Sequence, residues 1–156
     1  MSAATADERP PLARLFAIAY RSLIDGLHEQ LVANGWTDVR PAFGFVLLAA
    51  RDGPTTSTEL AALMGTTKQA ASKLVDVMVD AGYVRRTAGR EDARQRPVRL
   101  TARGTRLLAA VEQIYRELEA EWAAVIGTVA LERLRHDLVR VLAGADGALP
   151  PVRPTW

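Results

Sequence analysis

Leu12, Leu15, Phe16, Ala19, Tyr20, Leu23, Leu27 and Leu31 recur at three- and four-residue steps and stop at Asn34-Gly35. That is the period of one apolar helical face followed by a helix stop. A second, short helix is expected after Asp38, with Pro41 suited to a first turn and an almost wholly apolar run over 45–50 that should be mostly buried. Asp52-Gly53-Pro54 ends it. Beyond Thr101, a hydroxyl cap, the positions Leu107, Leu108, Val111, Ile114, Tyr115, Leu118, Trp122, Val125 and Ile126 mark a stripe through roughly six helical turns. Gly127-Thr128 interrupts the stripe, and Leu131, Leu134, Leu138, Val141 and Leu142 repeat it in a last helix that stops at Gly144.

Between these long stripes the signals are local. Thr56-Ser57-Thr58-Glu59 and Thr66-Thr67-Lys68-Gln69 each set a hydroxyl at a helix start and a Glu or Gln three residues later, the spacing of a capping box. The first box predicts a helix of about two turns over 57–64, closed at Gly65. The second predicts a helix over 67–81, closed at Gly82, that buries Ala70 or Ala71, Leu74, Val77, Met78 and Ala81 and turns Lys68, Gln69, Ser72, Lys73 and Asp76 outward. Residues 83–87 and 97–101 follow as short strands around a polar loop over 88–96, with Pro97 at a strand start. So small a ribbon needs the helices for support.

The 156 residues, 49% of them hydrophobic, suit one domain or two fused sub-domains. The first eleven residues lack the apolar run of a secretion signal, and charges interrupt every candidate membrane span, so a cytoplasmic protein is expected. The chain has no cysteine, which excludes disulfides, thiolate metal clusters and thiol switches. His28 and His136 are too few for a histidine-rich metal site, and no cofactor is expected. Charge changes the picture most. Residues 66–106 hold ten basic side chains and four acidic ones, a local +6, while each flank carries five against seven. Such concentration marks a polyanion-binding edge, with nucleic acid as the leading partner.

Two helices in tight tandem joined at a glycine, the second exposing Lys68, Gln69, Ser72 and Lys73 near its start, suit a recognition helix in the DNA major groove. A solvated amphipathic helix fits that stretch equally well. The ribbon favours the recognition helix, because Arg85, Arg86, Arg90, Arg94, Arg96 and Arg99 face only Glu91 and Asp92, a self-repelling density that a phosphate backbone would neutralise, with solubility as the other explanation of scattered arginines. The helix starts at Thr67 and Ser57 suit phosphates, and Arg90 or Arg94 at the tip suit a narrow minor groove. No nucleophile lies beside a base. Thr66 and Ser72 have no histidine nearby in sequence, and Glu112, Glu117, Glu119 and Glu121 fall on the wet side of the fifth helix; an enzyme is not expected. Two other readings stay open: a protein-interaction module of the same fold, which would more naturally expose an apolar recognition helix, and a sequence-indifferent architectural DNA-binding protein.

Thr58-Glu59-Leu60-Ala61-Ala62-Leu63-Met64-Gly65, Lys73-Leu74-Val75, Ala81-Gly82-Tyr83-Val84-Arg85-Arg86, Asp92-Ala93-Arg94 and Val98-Arg99-Leu100-Thr101-Ala102-Arg103-Gly104 resemble the MarR family of bacterial transcriptional regulators over about residues 10–145. The resemblance implies a mainly α winged helix-turn-helix with a small β wing, six helices, and the wing between the fourth and fifth. It implies a flexible tail over 1–9, helical dimerisation segments over 10–34 and 102–146, a DNA-binding lobe over 38–101 and a proline-rich tail over 147–156. The function implied is a homodimeric repressor of pseudo-palindromic operators, released by a small aromatic or phenolic effector. The DNA-binding residues expected are Thr67, Lys68, Gln69, Ser72 and Lys73 on the recognition helix, Arg90, Asp92, Arg94 and Arg96 in the wing with Asp92 positioning Arg94, and Ser57 and Arg86 on phosphates. His28, Trp36 and Phe43 are the candidates for the effector pocket, with core or surface packing as the alternative for each. Tyr83 stands where the family usually has a smaller aliphatic residue, a change expected to concern packing alone.

Overall fold

The structure is a computed structural model that describes residues 9–88 and 96–151. The elements follow the hydrophobic pattern closely: α1 (Leu12–Ala33), α2 (Phe43–Ala49), α3 (Ser57–Leu63), α4 (Lys68–Asp80), β1 (Val84–Arg86), β2 (Val98–Leu100), α5 (Ala102–Ile126) and α6 (Thr128–Leu142). β1 and β2 pair antiparallel with Val84 opposite Leu100 and Arg86 opposite Val98. Thr55, in the link from α2 to α3, adds a bridge to Val98 through two backbone hydrogen bonds of 3.0 and 2.7 Å. The link thereby fastens α3 to the base of the ribbon and supplies part of the support that two short strands need.

One core joins the elements. Leu27 and Leu31 of α1, Phe43, Val46 and Leu47 of α2, Leu60 of α3, Ala71, Val75 and Met78 of α4, and Leu107, Leu108 and Ile114 of α5 are buried together, with Val84 and Val98 sealing it from the strands. The α3–α4 unit is fixed by its turn. Gly65 takes a φ of +56°, where a side chain is costly, and the Thr66 amide donates to the Ala61 carbonyl at 3.0 Å. Thr66 is thus part of the turn and not the cap. The hydroxyl of Thr67 accepts from the Ala70 amide at 3.1 Å, so the second expected box forms one residue later, as a single cap without Gln69. The first box is complete: the Thr56 hydroxyl accepts from the Glu59 amide at 3.2 Å, and the Glu59 carboxylate accepts from the Thr56 amide at 2.7 Å.

The Leu100-Thr101-Ala102-Arg103-Gly104 motif at the start of α5 has a geometric cause. The Thr101 hydroxyl accepts from the Gly104 amide at 3.1 Å and lies 2.6 Å from the Gly82 carbonyl, to which it donates. A Cβ on Gly104 would meet the Tyr83 carbonyl oxygen at 2.0 Å. Glycine is what allows α5 to press on the backbone leaving α4.

The terminal helices are less enclosed. Of the first stripe only Leu27 and Leu31 are buried, whereas Leu12, Leu15 and Phe16 are exposed. Of the last, Leu131 is buried while Leu134, Val141 and Leu142 are exposed. No helix among the described residues is long and apolar enough to cross a membrane.

Candidate nucleic-acid interface and an apolar cavity

The first two turns of α4 present Thr67, Lys68, Gln69 and Lys73 to solvent, while Ala71, Leu74, Val75 and Met78 anchor the opposite face. Ser72 is half-buried and engaged from the ribbon. Arg86, on β1, donates to the Asp76 carboxylate at 2.7 Å and to the Ser72 hydroxyl at 3.3 Å. That contact ties the ribbon to the helix.

Beside this tie lies a polar hollow of about 120 Å³ lined by Thr56, Ser57, Thr58, Lys68, Ser72, Arg86 and Arg96. Five of the residues singled out from the sequence, Ser57, Lys68, Ser72, Arg86 and Arg96, therefore meet in one place, from α3, α4 and both edges of the wing. Hydroxyl donors and fixed guanidinium groups are what a phosphate oxygen needs. Ser57 is itself buried and lines the hollow. On the ribbon, Arg85 and Arg99 stand directly opposite each other, both exposed; like charges in register cost stability until an anion arrives. Glu59, in the capping box, is held below the ordinary carboxylate range, chiefly by the Thr56 amide, and remains an anion tied to its helix start. Arg90, Asp92 and Arg94 lie outside the described residues.

A second feature is a cavity of about 520 Å³ between α1, α2 and α5, mostly apolar, with Ile24, Leu27, Phe45, Leu108, Val111 and Tyr115 among its walls. His28 lines it; Trp36 and Phe43 do not. Phe43 is buried edge-on against Tyr83, and Trp36 lies tilted against the same ring under the Arg103 guanidinium. The Nε2 of His28 is buried without a hydrogen-bond partner among the described residues. Burial lowers the imidazole pKa, against a smaller upward pull from Asp25, so the ring favours its neutral form. Burial pushes the Tyr115 phenol up, and it too stays uncharged. Arg51 and Glu112 form an ion pair at the edge of the cavity, joining the residues just beyond α2 to α5. Glu112 thus has a partner while its side chain keeps 36% of its surface exposed.

Sequence reasoning missed most of this cavity. Its walls come from three segments that only the fold brings together, and none bears a local motif. It also missed the Tyr83 hydroxyl, which donates to Asp38 and accepts from Arg103 at 3.1 Å. Tyr83 is more than a packing substitution.

Recognition pair, ribbon and flanking long helices define a winged helix-turn-helix protein. The comparisons agree. The MarR family profile matches residues 44–95. Wild-type MarR from Escherichia coli, in its apo form, superposes with a TM-score of 0.70 at 25% identity, covering 87% of this chain and 99% of that one. A MarR family protein of Mycobacterium tuberculosis, in complex with salicylic acid, gives 0.64 at 26% identity, with 87% and 98% covered. MepR from Staphylococcus aureus, in complex with DNA, shares the fold at a TM-score of 0.67 and 19% identity, with 86% and 97% covered. No curated protein matches the sequence. The chain has the fold of the MarR-family winged helix-turn-helix transcription regulators, and the family's profile matches its residues 44–95.

Proposed function

We propose that this protein is a homodimeric, sequence-specific repressor that grips duplex DNA with α4 and the wing and is released when a small molecule fills the cavity between α1, α2 and α5. One observation carries the proposal: the exposed start of α4 and the wing arginines converge on a hollow lined by hydroxyls and cations. In it, Thr67, Lys68, Gln69 and Lys73 enter the major groove; Gln69 pairs with adenine and the lysines with guanine. Ser57, Arg86 and Arg96 take phosphates, and Arg90 or Arg94, the latter positioned by Asp92, reads the minor groove. MepR's complex with DNA supports the first part and the salicylic acid complex of the mycobacterial relative supports the second.

Homodimerisation supplies the second recognition helix. The exposed Leu12, Leu15, Phe16, Ile18, Val141 and Leu142 form apolar surface at both ends of the chain of the kind that marks an interface. A twofold dimer places two α4 helices about 34 Å apart, one DNA turn, and so selects a pseudo-palindrome.

Selection of bound fragments from random duplex DNA by the purified protein tests this directly. The expected outcome is an inverted repeat with one-turn half-site spacing. Recovery of fragments without a common sequence would leave an architectural protein, and no recovery even at low salt would remove the DNA-binding function altogether.

A further inference from the structure

Asp38, Tyr83 and Arg103 lie in three distant parts of the chain: the link from α1 to α2, the exit from α4 into β1, and the first turn of α5. They meet in one cluster. The Tyr83 hydroxyl donates to Asp38, while Arg103 donates to that hydroxyl at 3.1 Å and to the other Asp38 carboxylate oxygen at 3.3 Å. The guanidinium carbon lies 4.7 Å from the centre of the Tyr83 ring and 5.8 Å from that of Trp36, within the range of cation–π attraction.

The backbone of Tyr83 is held as firmly. Its amide donates to the Met78 carbonyl at 2.9 Å, and its carbonyl accepts from the Thr101 amide at 3.0 Å, directly under Gly104. The exit of the recognition helix is therefore fixed to α5 by its main chain and to the α1–α2 link by its side chain. The link continues from Asp38 into Val39, Arg40 and Pro41, which border the apolar cavity.

Packing does not account for the hydroxyl. The ring is buried against Phe43, and a phenylalanine would fill the same space without a polar group to satisfy. The Asp38–Arg103 ion pair by itself adds little to folding, because both side chains are nearly half exposed. Two directional contacts on one oxygen, closed into a triangle by the Arg103–Asp38 pair, do define an angle.

We propose that Asp38, Tyr83 and Arg103 form a strut that sets the orientation of α4 relative to the long terminal helices, and hence the match between two recognition helices and a full operator. They are positioning residues, and the proposal rests on the dimeric DNA-binding function above for its effect on DNA, though not for its effect on geometry.

Both effects are measurable with Tyr83→Phe, and with Asp38→Asn as a second variant that leaves the ring untouched. The chain has no cysteine, so spin labels go cleanly onto Asp80→Cys and Glu121→Cys, in labelled chains diluted with unlabelled ones. The distance distribution between α4 and α5 is expected to be narrow in the parent and at least half as wide again in either variant. On DNA selected by the parent, both variants are expected to keep half-site affinity within about twofold, to lose roughly five- to twentyfold on the full site, and to discriminate less against a two-base-pair insertion between half-sites. An unchanged label distribution overturns the strut, as does an unchanged ratio of full-site to half-site affinity. If the parent binds no duplex, the DNA-binding function fails while the label distribution still decides the strut.

Discussion

The lobe that carries α2, α3, α4 and the wing, and the pair of helices that end the chain, both present apolar stripes, but the first buries far more of them within one chain. Leu60, Val75 and Met78 are completely buried, whereas Leu12 is 67% and Val141 80% exposed. Burying a leucine or valine side chain is worth about 1.5–3 kcal/mol, so the lobe has taken its hydrophobic stabilisation while the terminal helices leave theirs uncollected. Periodicity alone does not distinguish these cases. It reports which face is apolar, not whether the covering surface comes from the same chain. The difference supports a division of labour in which the lobe is a folded reading head and the terminal helices are the means of joining two such heads.

Four substitutions test that contrast, in order of decreasing effect. Phe16→Glu, on the exposed face of α1, is expected to leave the circular dichroism spectrum of the chain intact, to yield monomers in sedimentation, and to reduce affinity for the full operator by about two to four orders of magnitude, the gain normally supplied by linking two binding modules. A dimer that persists with full affinity would show that this face joins nothing. Leu60→Ala, in the closed core of the lobe, is expected to cost about 2–5 kcal/mol in denaturant unfolding, independent of protein concentration if the lobe is self-sufficient. Gln69→Ala should cost about 1–3 kcal/mol on the selected sequence and far less on random duplex; equal losses on both would remove Gln69 from base recognition.

The smallest effect concerns His28. Its folded-state pKa is lowered by burial from 6.5, so the unfolded chain takes up a proton first as pH falls, and stability present above about pH 6.5 is lost on acidification below it. His28→Phe should flatten the dependence of thermal unfolding on pH between 5 and 7. An unaltered slope would place that dependence elsewhere.

Features set by short-range chemistry were legible in the sequence. The Thr56–Glu59 box needs residues three apart and formed as expected; the stops at Asn34-Gly35 and at Gly127 fall where α1 and α5 end. The second box failed for an equally local reason: two adjacent threonines compete for one cap, and the left-handed Gly65 uses Thr66 in the turn, leaving Thr67 to cap and Gln69 free to face outward. Long-range features were not legible. The partners of Tyr83 are 45 and 20 residues away, and its hydroxyl could not be told from a surplus group on a packing residue. The cavity has no signature of its own, since Ile24, Phe45 and Val111 each look like ordinary core. Trp36 and Phe43 attracted notice as aromatics near the first two helices, yet both turn toward Tyr83 instead of the cavity.

The central claim is that the exposed apolar faces of the terminal helices bring two reading heads to one duplex. Sedimentation equilibrium of the purified chain, alone at micromolar concentration and then with a selected duplex, tests it most directly. The account predicts a free species of about twice 16.9 kDa and two chains on each duplex. A single chain at every concentration that still binds one duplex tightly would contradict it.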